Sequence, residues 1–233
     1  MKKLLISING LFLPGLLAAQ ASNIENYIQS RTYLEPVITS SPDAKQFNTV
    51  QYFDGLGRPK QIVNVKATPT GKDLVTTIPY DGFGRQVDSW LPAPMSTLNG
   101  GLQSGVDGEA QTYHNDARAF THQNLENSPL DRVLSQIQPG TPWVQHPVQF
   151  NYQGNAISDR VRKLTVTTTW IGNATNNTSI KYLSDFNPNQ LYKNTITDED
   201  GNNTIEFKNG QGQILLTRKI LSATESYADT YYI

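Results

Sequence analysis

Not one cysteine occurs in the 233 residues. That excludes a disulfide framework, a thiol nucleophile and any thiolate metal centre. An excess of charge of either sign is also missing. The 19 basic and 20 acidic residues leave a formal charge of −1, so the chain carries no electrostatic footprint for nucleic acid or for an anionic membrane. Histidine is scarce, at His114, His122 and His146. No two of them stand four apart around a glutamate base, and none accompanies a carboxylate cluster at ligand spacing. Serine never sits in a Gly-x-Ser-x-Gly frame, and no glycine-rich phosphate loop leads into a helix. Past the first twenty residues, no apolar run reaches the ~20 residues of a spanning helix. Neither a cofactor nor a metal is implied.

What the chain does have is turn chemistry. Seventeen glycines, thirteen prolines and many Asn and Thr residues predict strands and reversals rather than long helices. Stability then has to come from burial, chiefly of Tyr, Phe and Trp. The start of the chain has its own character. Met1-Lys2-Lys3 is basic, Leu4 to Leu17 is apolar, and Ala18-Ala19-Gln20-Ala21 is small. This pattern predicts a secretory signal peptide over residues 1–21, cleaved after Ala19 or Ala21. The mature chain is therefore expected to leave the cytoplasm with no membrane span.

One stretch occurs twice. Phe53-Asp54-Gly55-Leu56-Gly57-Arg58 returns 27 residues later as Tyr80-Asp81-Gly82-Phe83-Gly84-Arg85. Each copy reads as strand, tight reversal, strand. The aromatic ends the incoming strand and the Asp caps backbone amides. The glycines at 55, 57, 82 and 84 supply positive φ, and the Arg pairs with the Asp across the hairpin neck. With Thr49–Phe53, Ile62–Lys66, Lys72–Tyr80 and Gln86–Leu91 as the strands, a four-strand antiparallel meander is expected.

These residues resemble the YD repeat of the bacterial Rhs family: Tyr-Asp, two variable positions, Gly-Arg, then an apolar residue. The copy from Tyr80 to Arg85 matches every fixed position, whereas Phe53 replaces the Tyr in the first copy. Residues from about Ile24 to Val166 are similar to the uncharacterised N-terminal domain that precedes the repeats in secreted Rhs proteins. The most specific part of that match is Glu126 to Leu134, followed by Pro139-Gly140-Thr141-Pro142-Trp143. The resemblance implies hairpins stacked into a sheet that spirals into a hollow shell, which in complete members often encloses a C-terminal toxin. The self-cleaving core motif and the toxin have no counterpart here, so those activities do not carry over. What carries over is a scaffold role for Phe53, Asp54, Gly57, Arg58, Tyr80, Asp81, Gly84 and Arg85.

Farther along, Pro92-Ala93-Pro94 is expected to stop a strand. An amphipathic helix is predicted from Gly108 to Thr121, with Ala110, Tyr113, Ala117 and Phe120 on its inner face. Strands are predicted at 131–138, 148–152 and 162–171, the last half-buried with Leu164, Val166 and Trp170 inward. From Leu191 the repeat style resumes in degraded form, with tips at Asp198–Asn202 and Lys208–Gln213. In the second of these, Asn209 and Gln213 replace the Asp and the Arg. The close in Tyr231-Tyr232-Ile233 reads as a strand entering another repeat, so a truncated protein or gene fragment is expected, with a natural end on an edge strand as the alternative. The expected domains are a signal peptide (1–21), an N-terminal domain with two repeats (22–166) and the start of a degenerate repeat region (167–233).

Each chemical candidate has a plainer reading beside it. Asp198, Asp200 and Asn202 faintly suggest a calcium loop, but a hairpin turn explains them. Asp54 with Asp81 is conceivable as a glycosidase pair, but the two hold equivalent repeat positions. Trp90, Trp143 and Trp170 are candidate platforms for sugar rings, against a simple packing role. The expectation is an all-β, non-enzymatic shell segment with one short helix. Its partners are the missing repeats or a second copy, through open sheet edges. The competing expectation is a carbohydrate- or surface-binding β module.

Overall fold

The computed structural model describes residues 25–38, 44–221 and 226–233; the expected leader lies outside them. The described chain is mainly antiparallel β-sheet with a single α-helix, as its composition predicts. It divides into two compact units. The first takes the chain as far as Ile78 and then Pro92–Tyr113, and the second takes Pro79–Leu91 and His114–Ile233.

In the first unit, β1 (Tyr27–Tyr33), β2 (Gln46–Phe53), β3 (Pro59–Asn64) and β4 (Asp73–Thr77) form an antiparallel meander. The chain then makes β5 (Asp88–Trp90), which pairs in the second unit, and returns as β6 (Ala93–Met95) beside β4. The expected fourth strand of the meander is thus not Gln86–Leu91. β5 does stop at Trp90, just ahead of Pro92, as the prolines predict, but Pro94 then lies inside a strand of its own. It stands opposite Leu74 in β6, at the sheet's edge, where a missing N–H is tolerated.

Alternation along these strands builds the core. Val50, Val63, Val75 and Ala93 face one another in register from strand to strand, and all four are fully buried. Each valine contributes roughly 1.5–3 kcal/mol by leaving water. Buried polar groups pin the loop after β6 to the sheet. Asp73, also fully buried, accepts from the Lys66 N–H at 2.9 Å, Thr97 Oγ1 at 3.0 Å and the Gly100 N–H at 2.9 Å. Tyr52 donates its hydroxyl to the Gly100 carbonyl at 2.8 Å; burial pushes that hydroxyl's pKa up to about 12. A Cβ on Gly100 would lie 2.8 Å from Val65 Cγ2, and its φ is +74°, so this position requires glycine.

The helix α1 runs over Val106–His114, earlier and shorter than predicted, and buries Val106 and Ala110. Asn115 takes φ 52°, the left-handed conformation that ends helices. Tyr113 is consequently exposed, and Phe120 belongs to a strand.

The second unit contains β7 (Phe120–Leu125), β8 (Val133–Ile137), β9 (Val148–Gly154), β10 (Arg162–Ile171), β11 (Ala174–Asp185), β12 (Tyr192–Thr197), β13 (Asn203–Lys208), β14 (Ile214–Ile220) and β15 (Tyr227–Tyr231). Eight strands form one sheet in the order β15-β14-β13-β12-β9-β8-β7-β5, and β10 with β11 forms a separate pair. The domain boundary expected at 166/167 falls inside β10. Val161, Leu191, Phe207 and Leu216 make the apolar core, with Phe186, Ile205 and Tyr231 against it. Beside that core Arg218 is buried. It is forked onto Asp229 at 2.7 and 2.9 Å, and it donates to the Asp159 carbonyl at 2.8 Å. Lys193 holds the Asp159 carboxylate at 2.7 Å. The expected inward face of β10 is not buried: Val166 and Trp170 are exposed.

Candidate functional site

The repeated hexapeptides build the same turn. In the first copy the Asp54 N–H donates to the Arg58 carbonyl at 2.8 Å and the Gly57 N–H to the Asp54 carbonyl at 3.0 Å. Asp54 Oδ1 accepts the Leu56 and Arg58 N–H groups, both at 2.9 Å, and Oδ2 accepts Arg58 Nε at 2.8 Å. In the second copy the Asp81 N–H donates to the Arg85 carbonyl and the Gly84 N–H to the Asp81 carbonyl, both at 2.9 Å. Asp81 Oδ1 accepts from Phe83 at 2.9 Å and Arg85 at 2.8 Å, and Oδ2 takes Arg85 Nε at 2.9 Å. Both are tight turns closed by a left-handed glycine, and in the first copy, where β2 and β3 pair across it with a register shift at Tyr52/Phe53, it is a hairpin loop with a bulge.

Only the second glycine of each pair needs its freedom. Gly57 and Gly84 have φ of 77° and 80°, whereas Gly55 and Gly82 are not among the positive-φ residues. The expectation that all four glycines supply positive φ is corrected accordingly.

The carboxylates are committed inside their own turns. Asp54 and Asp81 both sit below the ordinary carboxylate pKa, chiefly because the N–H of the following arginine binds the charged form. Nothing in this arrangement frees an oxygen to act as base or nucleophile.

The same turn recurs without the ion pair. At Asn209–Gln213, Asn209 Oδ1 accepts the Gln211 and Gln213 N–H groups, both at 3.0 Å, and Asn209 Nδ2 donates to Gln213 Oε1 at 2.8 Å. At Asp198–Asn202, Asp198 Oδ1 accepts the Asp200 and Asn202 N–H groups, and Asn202 Nδ2 donates to Oδ2 at 3.0 Å. Gly201 and Gly212, at the fourth positions, have φ of 84° and 81°. A fifth version at Thr68–Lys72 uses a hydroxyl: the Lys72 N–H donates to Thr68 Oγ1 at 2.8 Å, with Gly71 at φ 75°. The general pattern is an acceptor at the first position and glycine at the fourth. It is readable in Asp198-Glu199-Asp200-Gly201 and Thr68-Pro69-Thr70-Gly71, where sequence reasoning saw an ordinary hairpin tip or no turn at all.

The second turn has an additional anchor that sequence reasoning missed. Arg85 Nη1 donates to Asp131 at 3.0 Å, and Asp131, first among its partners, raises the arginine's pKa. Asp131 stands in the loop between β7 and β8, with φ 47°. Glu126 clasps Arg132 across the base of that loop through Nε and Nη2, at 2.7–3.0 Å. That clasp, with the Ser128 hydroxyl, lowers the Glu126 pKa to about 2. A shallow groove of about 330 Å³ lies between Phe83, Arg85, Ser128 and Asp131. Its charges face one another.

The remaining candidates are dispersed. Phe53–Arg58 lies in the first unit and Tyr80–Arg85 in the second. Trp90 is half-buried, its ring 4.7 Å from Phe120. The packing role does not hold for the other two: Trp143 is 43% exposed on a 3-10 turn and Trp170 is 65% exposed. His122 bridges Asp88 at 2.7 Å and Asn124 at 3.2 Å, and His146 reaches the Glu199 carbonyl. Among the described residues, no group of three or more His, Asp or Glu is placed to hold a metal ion. Among them, too, no helix is long and apolar enough to cross a membrane.

No curated protein and no solved structure matches the chain. Residues 26–154, more than half of the sequence, match a family described as a domain of unknown function, DUF6443. The matched region holds β1–β9 with the first two turns, and by that match the chain belongs to the DUF6443 family.

Proposed function

We propose that the chain is a non-enzymatic structural segment of a secreted, Rhs/YD-repeat-type shell protein. One observation carries this reading. A single five-residue turn is built again and again, and its side chains bond to the turn itself whether they are charged or neutral. A residue that tolerates exchange of Asp–Arg for Asn–Gln at equivalent positions works by geometry, not by proton transfer or nucleophilic attack. The basic, apolar and small-residue leader supports export. Outermost strands β1 and β15, largely exposed, suit pairing with further repeats.

The test converts both charged turns to the neutral form, with Asp54→Asn, Arg58→Gln, Asp81→Asn and Arg85→Gln together. The variant is expected to keep its circular dichroism spectrum, and neither protein should turn over a broad panel of ester, peptide and glycoside substrates. A turnover present in the parent and absent from the folded variant would overturn the proposal.

Exposure of Trp143 favours a second reading, a carbohydrate- or surface-binding module. A glycan array in which binding disappears with Trp143→Ala, at unchanged thermal stability, would select it.

A further inference from the structure

Asn-Gly steps occur in the chain at 9–10, 99–100 and 209–210. In such a step the glycine's backbone nitrogen can attack the asparagine's own side-chain carbon, because no side chain on the glycine shields that nitrogen. The first step lies outside the described residues. The other two are held in opposite ways.

At Asn99-Gly100 the nitrogen is locked. Gly100 is buried, its N–H donates to the buried Asp73 carboxylate at 2.9 Å, and a Cβ there would meet Val65 and Val50. At Asn209-Gly210 the nitrogen is open. Gly210 is exposed, its N–H donates to no group among the described residues, and a Cβ there would meet nothing within 4 Å. The carbon to be attacked is prepared as well. Asn209 Oδ1 accepts the Gln211 and Gln213 N–H groups, both at 3.0 Å. Two backbone donors on one carbonyl oxygen draw charge away from Cγ and stabilise the oxyanion that forms on attack. In the turns at Asp54 and Asp81 the equivalent donors meet an ionised carboxylate paired with arginine. That group is a far weaker electrophile and has no amide to expel.

We propose that Asn209 is a self-modifying residue, which deamidates in the folded chain. The Gly210 nitrogen gives its proton to water as it bonds to Asn209 Cγ. Nδ2 takes up a proton and leaves as ammonia, which closes a succinimide ring. One water then opens the ring at either carbonyl, giving aspartate or its isoaspartyl isomer. The aspartate product has a precedent in the same chain: Asp198 holds the first position of this turn with an amide, Asn202, at the fifth. Deamidation thus converts the neutral turn into a charged one. The isoaspartyl product instead adds a backbone carbon inside the turn that joins β13 to β14, and should spoil its closure. The chemistry uses this turn alone, so the inference is independent of the shell reading.

The test incubates the full chain, folded, at mildly alkaline pH. Peptide mass spectrometry follows positions 99 and 209, and enzymatic methyl transfer reads isoaspartate. Asn209 is expected to convert at least about tenfold faster than Asn99. In urea, with both turns lost, the two should convert at similar rates. Gly210→Ala has no atom within 4 Å of the new Cβ and no positive φ. It should keep the thermal melt of the parent and slow conversion at 209 at least about tenfold, by shielding the nitrogen. An Asn209 that persists in the folded chain but converts in urea overturns the proposal. So does a folded Asn99 that converts as fast, or a conversion at 209 that Gly210→Ala leaves unchanged.

Discussion

The turns at Asp54–Arg58 and Asp81–Arg85 share their internal hydrogen bonds but deliver the chain to different places. The first closes a hairpin: β2 and β3 continue as partners, with Tyr52 opposite Gln61 and Phe53 opposite Pro59. The second hands the chain from one sheet to another. β4 ends at Thr77, its outer edge is taken by β6, and β5 pairs with β7 instead. Pro79 follows β4 and has no N–H to donate to a ladder. Beyond the turn, the Asp88–His122 pair and the Trp90–Phe120 ring contact draw β5 to its new neighbour. Five residues therefore specify a reversal, while the strands it joins are chosen by side chains far away in sequence.

Breaking the reversal itself should have the largest effect. Gly57→Ala and Gly84→Ala each place a side chain at φ near +80°, which costs about 1–2 kcal/mol. Gly55→Ala and Gly82→Ala have no atom within 4 Å of the new Cβ and no positive φ. They should be neutral or slightly stabilising, since alanine narrows the unfolded ensemble. Urea unfolding, read by a separate probe in each unit, checks this. Equal losses at 57 and 84 are expected if the turn is a local device. A loss at Gly57 alone would mean that tertiary contacts, not the turn, fix the second site.

Next in size is the head group at the first position. Asp81→Ala strips two N–H groups of their acceptor and leaves Arg85 with Asp131. Asn209→Ala strips the equivalent two N–H groups but only a neutral amide contact. Thermal unfolding should show the larger drop for Asp81→Ala. Equal drops would mean that the ion pair adds nothing beyond the cap, as is common for partly exposed pairs.

Much of this architecture is legible in the sequence because it is local. Alternation gives β2, β3, β9 and β10, and the acceptor-to-glycine spacing gives the turns. What is not legible depends on partners. That β5 leaves the meander follows from contacts 30 or more residues away. The helix boundary rests on Asn115 adopting a left-handed conformation, which periodicity does not register. The apolar face of β10 looks like a core face, because alternation reports that a face is apolar and says nothing of whether a layer covers it. Asp131 as a second partner for Arg85 had no spacing to betray it, since it lies 46 positions along the chain.

Acid should separate the charged turns from the neutral one. Asp54 and Asp81 have folded pKa values below their ordinary 3.8, and Glu126 falls from 4.5 to about 2. A depressed carboxylate contributes its full stability above its unfolded pKa and loses it as the pH falls through the folded value. The 126–132 loop should therefore loosen progressively from about pH 4.5 toward pH 2, and the second turn as the pH falls below the ordinary 3.8 of Asp81. The turn at Asn209–Gln213 has no carboxylate to protonate and should hold over the same interval. Amide hydrogen exchange measured along that titration, and corrected for intrinsic rates, resolves the two: Phe83 and Arg85 should lose protection while Gln211 and Gln213 keep theirs. Simultaneous loss at all four amides would show that acid opens the sheet as a whole, and that the ion pairs set no local difference between the turns.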